Sequence, residues 1–373
     1  MKECSFRNWL VDLLSNRRNF HEELLEKAHS RKYVVFYGCG TVFKSIVPLW
    51  NSSVDVKIDF CCDTSSSKWG TEFCGIPCIS PNQLSEIGHE SVVFITANDC
   101  LRIYSNLKEI VGLEVCEIYK YDFRYADYFK SGDFDSNLDV VVSNLDQVYS
   151  MLADEPSRTV FRTVLMRIFN REAKFVMSSV NTPDEYFPEG IVALADKECF
   201  VDAGAYTGDT LRFFLSKVDA KFEYYYAFEM DQPNFAILKE NVHSMDCRER
   251  VRLYNLGLMD KCAVMNYNSM GMGSAICGDG EKYASVTTLD DVLPEERVTF
   301  IKMDIEGSEL RALSGARRII HEQTPVLAIC VYHKFEDLWE IPQYINNASS
   351  QYSIYFRHHS NIDDDTICYA VRK

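Results

Sequence analysis

Apolar residues in this chain recur in two alternating rhythms. Trp9, Leu10, Leu13, Leu14 and Phe20 fall at helical spacing within residues 1–30. The β-rich run Lys32–Tyr37 follows and stops at Gly38-Cys39-Gly40. Phe43, Ile46, Val47 and Leu49 return to the helical period. Two more strands are predicted, Val54–Phe60, ending near Asp63, and Ser91–Thr96, ending in Ala-Asn-Asp. Strands separated by helical segments predict a parallel sheet, because parallel neighbours need a crossover. This first unit, with its leading helix, is expected to span residues 1–120.

Residues 121–190 read as a helical connector, with patterns at Leu145–Leu152 and Val160–Phe169 and a Pro-containing stretch at Asn181–Gly190. The alternation resumes over residues 191–373. Strands are predicted at Cys199–Asp202, Tyr224–Glu229, Val251–Asn255, Val298–Asp304, Val326–Tyr332, Tyr352–Phe356 and Thr366–Val371, with helical patterns between most of them. Only a short segment with Asn361 and three Asp separates the last two, which predicts a hairpin. The fold class is therefore α/β, with two Rossmann-like domains. The C-terminal one is expected to be a seven-stranded sheet whose last strand is antiparallel.

Composition narrows the partners. The chain has 373 residues, 47% hydrophobic and 25% charged, with a net charge of −16. That balance argues against nucleic acid as the main partner, since phosphate binding needs clustered Lys and Arg. No apolar run approaches the ~18–20 residues that span a bilayer. Met1-Lys2-Glu3-Cys4 is not expected to open a signal peptide, and on that reading the 14 Cys are expected to be reduced and the location cytoplasmic. Cys61, Cys62, Cys74 and Cys78 cluster in sequence but lack the Cys-X-X-Cys pairs of structural zinc sites. They are read as buried thiols.

The run Cys199–Thr210 is the first candidate for chemistry. An apolar strand ends in Asp202, and a turn with Gly204 and Gly208 leads into a helix. Such a turn brings bare backbone against a ligand at a strand's carboxyl end. Glu229 lies 21 residues beyond Gly208, a spacing that suits an acid accepting from both ribose hydroxyls. NAD competes for the same pair, but Ala205 and Tyr206 stand where its second close-packed glycine would be. Strand ends also deliver Asp304 and His333 to the same rim. In Phe300–Glu309, Asp304 and Glu306 are expected to point into the rim, while Ser308 and Glu309 suit a helix cap.

At these residues the chain resembles the FkbM family of methyltransferases. Val201–Thr210, Ala227–Asn234, Thr288–Asp291 and Ile301–Glu309 carry the resemblance, with Asp-Ile-Glu-Gly-Ser-Glu its most distinctive piece. Tyr186-Phe187-Pro188, Tyr332-His333-Lys334, Asp337–Pro342 and Arg357-His358-His359 extend it over about residues 184–373. Met230 departs from the pattern, where an acid followed by Pro is commoner. The resemblance implies a seven-stranded methyltransferase sheet and S-adenosylmethionine as cofactor. By the same token Tyr186, Asp202, Gly204, Ala205, Thr207 and Gly208 would line its methionine and ribose side. Glu229 would hold the ribose diol. Met230, Gly257 and Leu258 would approach the adenine. Asp304 would sit near the methionine ammonium group or the acceptor.

Methyl transfer from a sulfonium needs positioning above all, and an alcohol acceptor gains from a general base. His333 is the preferred base because imidazole titrates near neutrality, with Asp304 and Glu306 as alternatives. Lys334, Asp337, Arg357 and His358 are candidates to bind a small or carbohydrate acceptor. Asp304, Glu306, His333 and His358 are also metal-ligand types, but no tight ligand spacing appears and no metal is expected.

The N-terminal unit carries a second glycine turn. Gly38 and Gly40 lack a third glycine, and Asp63, 23 residues beyond Gly40, is a candidate ribose acid. Cys74–Pro81 resembles a segment of small nucleotide- or sugar-nucleotide-binding Rossmann modules. The alternative is a module for packing or for a homodimer. Three functions therefore compete: a methyltransferase acting on a hydroxyl of a sugar or secondary metabolite, an NAD- or sugar-nucleotide-binding enzyme, and a non-catalytic two-domain scaffold.

Overall fold

A computed structural model of the chain describes residues 5–17, 20–54, 56–97, 100–109, 113–117, 133–170, 177–219, 221–268, 274–278, 280–361 and 364–373. Asn98-Asp99, residues 121–132 of the expected connector and Asp363 of the expected hairpin lie outside them. Two compact units are formed, by residues 1–143, 162–179 and 360–363 and by residues 144–161, 180–359 and 364–373. Both are α/β. Among the described residues, no helix is long and apolar enough to cross a membrane.

The first unit is built on β1 (Tyr33–Tyr37), β2 (Phe60–Cys62), β3 (Glu72–Phe73), β4 (Ile76–Ile79), β5 (Ser91–Ile95) and β6 (Glu114–Glu117), in the order β3-β4-β2-β1-β5-β6. All neighbours are parallel except the β3–β4 hairpin. Trp50, on the helix Thr41–Ser53, packs onto Phe36 and Phe94 of the sheet, with ring centroids 5.0–5.9 Å apart. The predicted strand Val54–Phe60 is corrected here, since pairing starts only near Asp59 and the strand itself at Phe60. Val54 and Ile58 are buried without ladder partners, and Val56 O accepts the Trp50 indole at 2.7 Å. Their apolar character serves packing under the helix, which strand periodicity alone cannot distinguish.

The second unit holds β7 (Glu198–Ala203), β8 (Phe222–Phe228), β9 (Val251–Tyr254), β10 (Gly257–Leu258), β11 (Ala263–Asn268), β12 (Ala275–Ile276), β13 (Lys282–Thr287), β14 (Phe300–Met303), β15 (Val326–Cys330), β16 (Tyr352–His358) and β17 (Thr366–Arg372). Seven of them form one sheet, β16-β17-β15-β14-β7-β8-β9. β17 runs antiparallel to both neighbours, as the hairpin reading expects. Strand order reverses between β7 and β14, and the carboxyl ends flanking that point form the binding crevice of such sheets. Phe200 anchors the core there, stacked on Phe300 at 4.6 Å and on Tyr225 at 5.0 Å.

A small second sheet, β10-β13-β11-β12, was not foreseen. Two of its strands have only two residues, and in the longer pair Val264 and Tyr283 expose 68% and 72% of their surface, so the apolar alternation that marks a half-buried strand is blurred.

Arg357 and His358 were expected to follow β16, but both lie within it and are buried. The Arg357 guanidinium is committed to Asp154, with Nη2 at 2.6 Å and Nη1 at 3.2 Å, and Nη1 also donates to Ser157 Oγ at 2.9 Å. Burial pushes the Asp154 carboxyl up, but Arg357 and Ser157 outweigh it and hold the group below its usual range. A depressed carboxylate stabilises the fold above its unfolded pKa and loses that contribution as pH falls through the folded value. Arg357→Ala should therefore cost about 2 kcal/mol at neutral pH. Thermal melts should show the deficit shrinking as the buffer is taken below about pH 4; a deficit independent of pH would separate Arg357 from Asp154.

Candidate functional site

At the reversal point, β7 and β14 are locked by charge. Lys302 Nζ lies 3.0 Å from Asp202 Oδ1, with 3% and 0% of the two side chains exposed. The ammonium also donates to Gly204 O at 2.8 Å and Ala203 O at 3.3 Å, and the Tyr225 hydroxyl donates to Asp202 Oδ2 at 2.6 Å. Burial opposes the Lys302 charge, but Asp202 and Asp304 outweigh it and hold the ammonium above its ordinary range. Burial also pushes the Asp202 carboxyl up, against the pull of Lys302. With two donors this close, the ionised pair is the state the geometry favours. Asp202 thus lies beneath the glycine turn and fixes it, rather than lining the rim as expected. Lys302 was not foreseen, although a lone cation within the apolar strand Phe300–Met303 was a visible signal.

The turn needs its glycines. Gly204 has φ +82°, and a Cβ there would stand 1.9 Å from the Asp304 carbonyl oxygen. Tyr206 (φ +46°) and Gly208 (φ +88°) continue the left-handed path. Glu229 directly follows β8 and is 7% exposed. Its carboxylate accepts from the Tyr206 amide at 2.9 Å and the Asp231 amide at 2.8 Å, and burial pushes it up to about 7. Gly257 faces Met230, whose Cβ and Sδ would lie 3.6 Å from a Cβ at 257. Ala205 and Gly208 belong to the same turn, Leu258 is buried in β10 beside Thr287, and Thr207 O accepts from Asn241 at 2.7 Å.

Across the reversal point lies an acidic cluster around one imidazole. His333 exposes none of its side chain. Its Nδ1 is 3.0 Å from Glu309 Oε1, and its Nε2 is 3.4 Å from Asp304 and 3.8 Å from Glu306. Burial pushes His333 down, but Glu309, Glu306 and Asp304 together raise it to about 9. The three carboxylates favour the imidazolium, which has no lone pair to take a proton. The expectation of His333 as the general base is corrected accordingly, since sequence placed it at the rim but could not show three carboxylates around it. The three groups Asp304, Glu309 and His333 are metal-ligand types within 4.8 Å of one another. Glu309 lies on the Nδ1 side of the ring and Asp304 on the Nε2 side, so the imidazole bridges two carboxylates.

Asp304 is the carboxylate best placed to face a ligand. The hydroxyls of Tyr186 and Tyr332 donate to it at 3.3 and 3.1 Å. Burial pushes it up, but Lys302, His333 and the two phenols outweigh that and hold it below its usual range. Glu306 (φ +54°) and Gly307 (φ +89°) turn the chain back toward His333. Lys334 Nζ donates to Gly307 O, and Asp337, 2% exposed, accepts the Lys334 amide at 2.9 Å. His358 Nδ1 is 2.9 Å from Thr366 Oγ1. Of the four acceptor candidates, Lys334 and Asp337 brace the loop after β15, and Arg357 and His358 brace the hairpin. Tyr332 and Glu309 were not foreseen as site residues; both flank motif residues that were.

In the first unit, Gly38 (φ +105°) packs against Thr96 and Ala97, and Gly40 has open space around it. Asp63 is turned inward, accepting from the Cys39 amide at 3.0 Å, the Ser65 amide at 2.9 Å and Lys68 Nζ at 2.6 Å. The carboxylate read as a ribose acid is engaged within its own turn.

The sequence profile of the methyltransferase FkbM domain matches residues 202–354, less than half of the chain. None of the curated proteins matches the sequence. Methyltransferase FkbM from Methylobacillus flagellatus KT superposes with a TM-score of 0.77 at 23% identity, covering 98% of each chain. An rRNA methylase from Streptococcus thermophilus gives a TM-score of 0.31 at 12% identity, over 60% of this chain and 98% of that one. A SAM-dependent methyltransferase from Aquifex aeolicus gives 0.30 at 15%, over 47% and 84%. The first likeness establishes the fold, and the other two are too distant to add to it. The stretch that holds the glycine turn, Glu229 and the Asp304–Glu309 run is the part of the chain that matches the methyltransferase FkbM domain.

Proposed function

We propose that the second unit methylates a hydroxyl of a small acceptor, a sugar or secondary metabolite, using S-adenosylmethionine. The observation that carries this reading is the meeting of three features at the β7–β14 reversal: the side-chain-free Gly204, the Glu229 carboxylate on one side and the Asp304 carboxylate on the other. The cofactor supplies a methyl group on a sulfonium, a leaving group that needs no further activation. Gly204 to Gly208 offer bare backbone to its methionine and ribose side. Glu229 still has carboxylate lone pairs to accept from the ribose diol. Met230 beside Gly257, with Leu258, would offer apolar contact to the adenine.

Asp304 accepts the hydrogen bond of the acceptor hydroxyl and directs an oxygen lone pair toward the methyl carbon. The hydroxyl proton would pass to this carboxylate as the O–C bond formed and the methyl–sulfur bond broke, the sulfur leaving as the neutral thioether of the demethylated cofactor. Tyr186 and Tyr332 fix its orientation, and the His333 imidazolium compensates its charge and that of Glu306. Glu309 in turn holds the imidazolium.

Calorimetry with S-adenosylmethionine and its demethylated product tests the cofactor assignment. Glu229→Ala should weaken binding at least about tenfold, through loss of charge-assisted hydrogen bonds. Because the diol donates to the ionised carboxylate, wild-type affinity should rise as pH is raised through about 7, and Glu229→Gln should flatten that profile. Unchanged affinity in Glu229→Ala would remove the placement.

Asp304→Asn should lower turnover on a responsive acceptor by roughly 10²–10⁴-fold while cofactor affinity holds. Parallel loss of both would make Asp304 a binding group only. His333 makes a separate prediction. A raised imidazole contributes stability that is full below its unfolded pKa and is lost as pH rises through the folded value. The wild-type melting temperature should therefore decline between about pH 6.5 and 9 relative to His333→Gln. The variant should melt a few degrees lower at about pH 6, since it leaves buried carboxylates uncompensated. Parallel pH curves would show that His333 is neutral.

A further inference from the structure

The first unit brings together three thiols that lie far apart in sequence. Cys61 on β2 and Cys78 on β4 are register partners in neighbouring parallel strands. Cys39, in the turn after β1, closes the group, with its Sγ 3.8 Å from that of Cys78. All three sulfurs lie within 4.8 Å of one another, and the residues are 4%, 0% and 2% exposed. The sequence cluster Cys61, Cys62, Cys74 and Cys78 is thereby regrouped. Cys62 packs in the cluster on the opposite face of the sheet, because adjacent strand residues alternate sides, and Cys74 is exposed. Cys39, 22 residues before Cys61, takes their place.

We propose that Cys39, Cys61 and Cys78 form a three-thiolate site for a thiophilic divalent d10 cation of the zinc or cadmium type. Metal–sulfur bonds of about 2.3 Å set thiolate sulfurs about 3.8–4.0 Å apart around a tetrahedral or trigonal ion. The Cys39–Cys78 separation already has that value. Soft sulfur donors without water or hard oxygen ligands select such ions over magnesium or calcium. On binding, three S–H bonds break, three metal–sulfur bonds form, and three protons leave to solvent; no electron is transferred. The complex keeps one negative charge. Cys39 immediately precedes the Gly40 cap of the 13-residue helix Thr41–Ser53, whose N-terminal dipole favours that charge. Lys68, paired with Asp63 at 2.6 Å, neutralises the nearby carboxylate. The site would tie β2, β4 and the β1 turn together, and it is independent of methyl transfer in the second unit.

The test titrates the reduced full-length chain, in a Cys74→Ser/Cys262→Ser background that removes the thiols exposed among the described residues, with cadmium against a competing chelator. A saturable thiolate-to-cadmium charge-transfer absorption is expected, with proton release in weak buffer. Cys39→Ser, Cys61→Ser and Cys78→Ser should each lose that absorption, and Cys62→Ser should keep it. The proton release of the unsubstituted trio reports on the site even if one of these variants does not fold. Absence of the absorption and of proton release, or an absorption that survives in folded Cys39→Ser or Cys61→Ser, would overturn the site.

Discussion

The second unit depends on one buried ion pair. Lys302 and Asp202 face each other across β14 and β7, the two strands between which the sheet changes direction. Two charges removed from water are costly unless every remaining donor and acceptor is used. Here the surplus protons of Lys302 go to the carbonyls of Ala203 and Gly204, and the second oxygen of Asp202 accepts from Tyr225. The bonds that make the pair tolerable are thus the same bonds that hold the glycine turn in place. Gly204 then has to be glycine, because the pair draws the turn against the Asp304 carbonyl.

The acidic side of the rim follows from the same placement. Asp304 leaves β14 one residue beyond Met303 and receives charge compensation from Lys302 below and His333 beside it. His333 is itself defined by its neighbours. Glu309, at the start of a helix and fully buried, would be a simple cap by sequence. In the fold its carboxylate caps Ile305 N at 2.9 Å and also grips the imidazole. One side chain therefore serves both the turn and the electrostatics of the site.

The two glycine turns look alike in sequence and differ in environment. After β7 the turn rests on a buried cation and is met by an acid, Glu229, that retains open lone pairs. After β1 the turn rests on thiols, and its acid, Asp63, is filled by the Cys39 and Ser65 amides and Lys68. A strand, a glycine turn and a helix N-terminus are a common scaffold; the groups packed beneath decide what it can bind.

Much of the architecture was legible in the chain. Period-2 and period-3.6 apolar runs marked the seven strands of the large sheet and the antiparallel hairpin at its end, because these elements bury one or both faces and must repeat accordingly. Asp202, Gly204, Glu229 and Asp304 were legible as strand-end residues for the same reason. The small sheet was not, since two of its strands have two residues and the longer pair turns large apolar side chains outward, and Val54–Ile58 misled because packing under a helix also demands apolar residues. By itself, then, the sequence determined the fold class, the rim and the types of group on it. Only the tertiary structure decided what each group faces: that Asp202 is spent on Lys302, that Arg357 is spent on Asp154, that three carboxylates charge His333, and that Cys39 rather than Cys62 joins Cys61 and Cys78. Such pairings unite residues up to about two hundred positions apart. Charge state and coordination depend on distances of a few ångströms, which local periodicity does not encode.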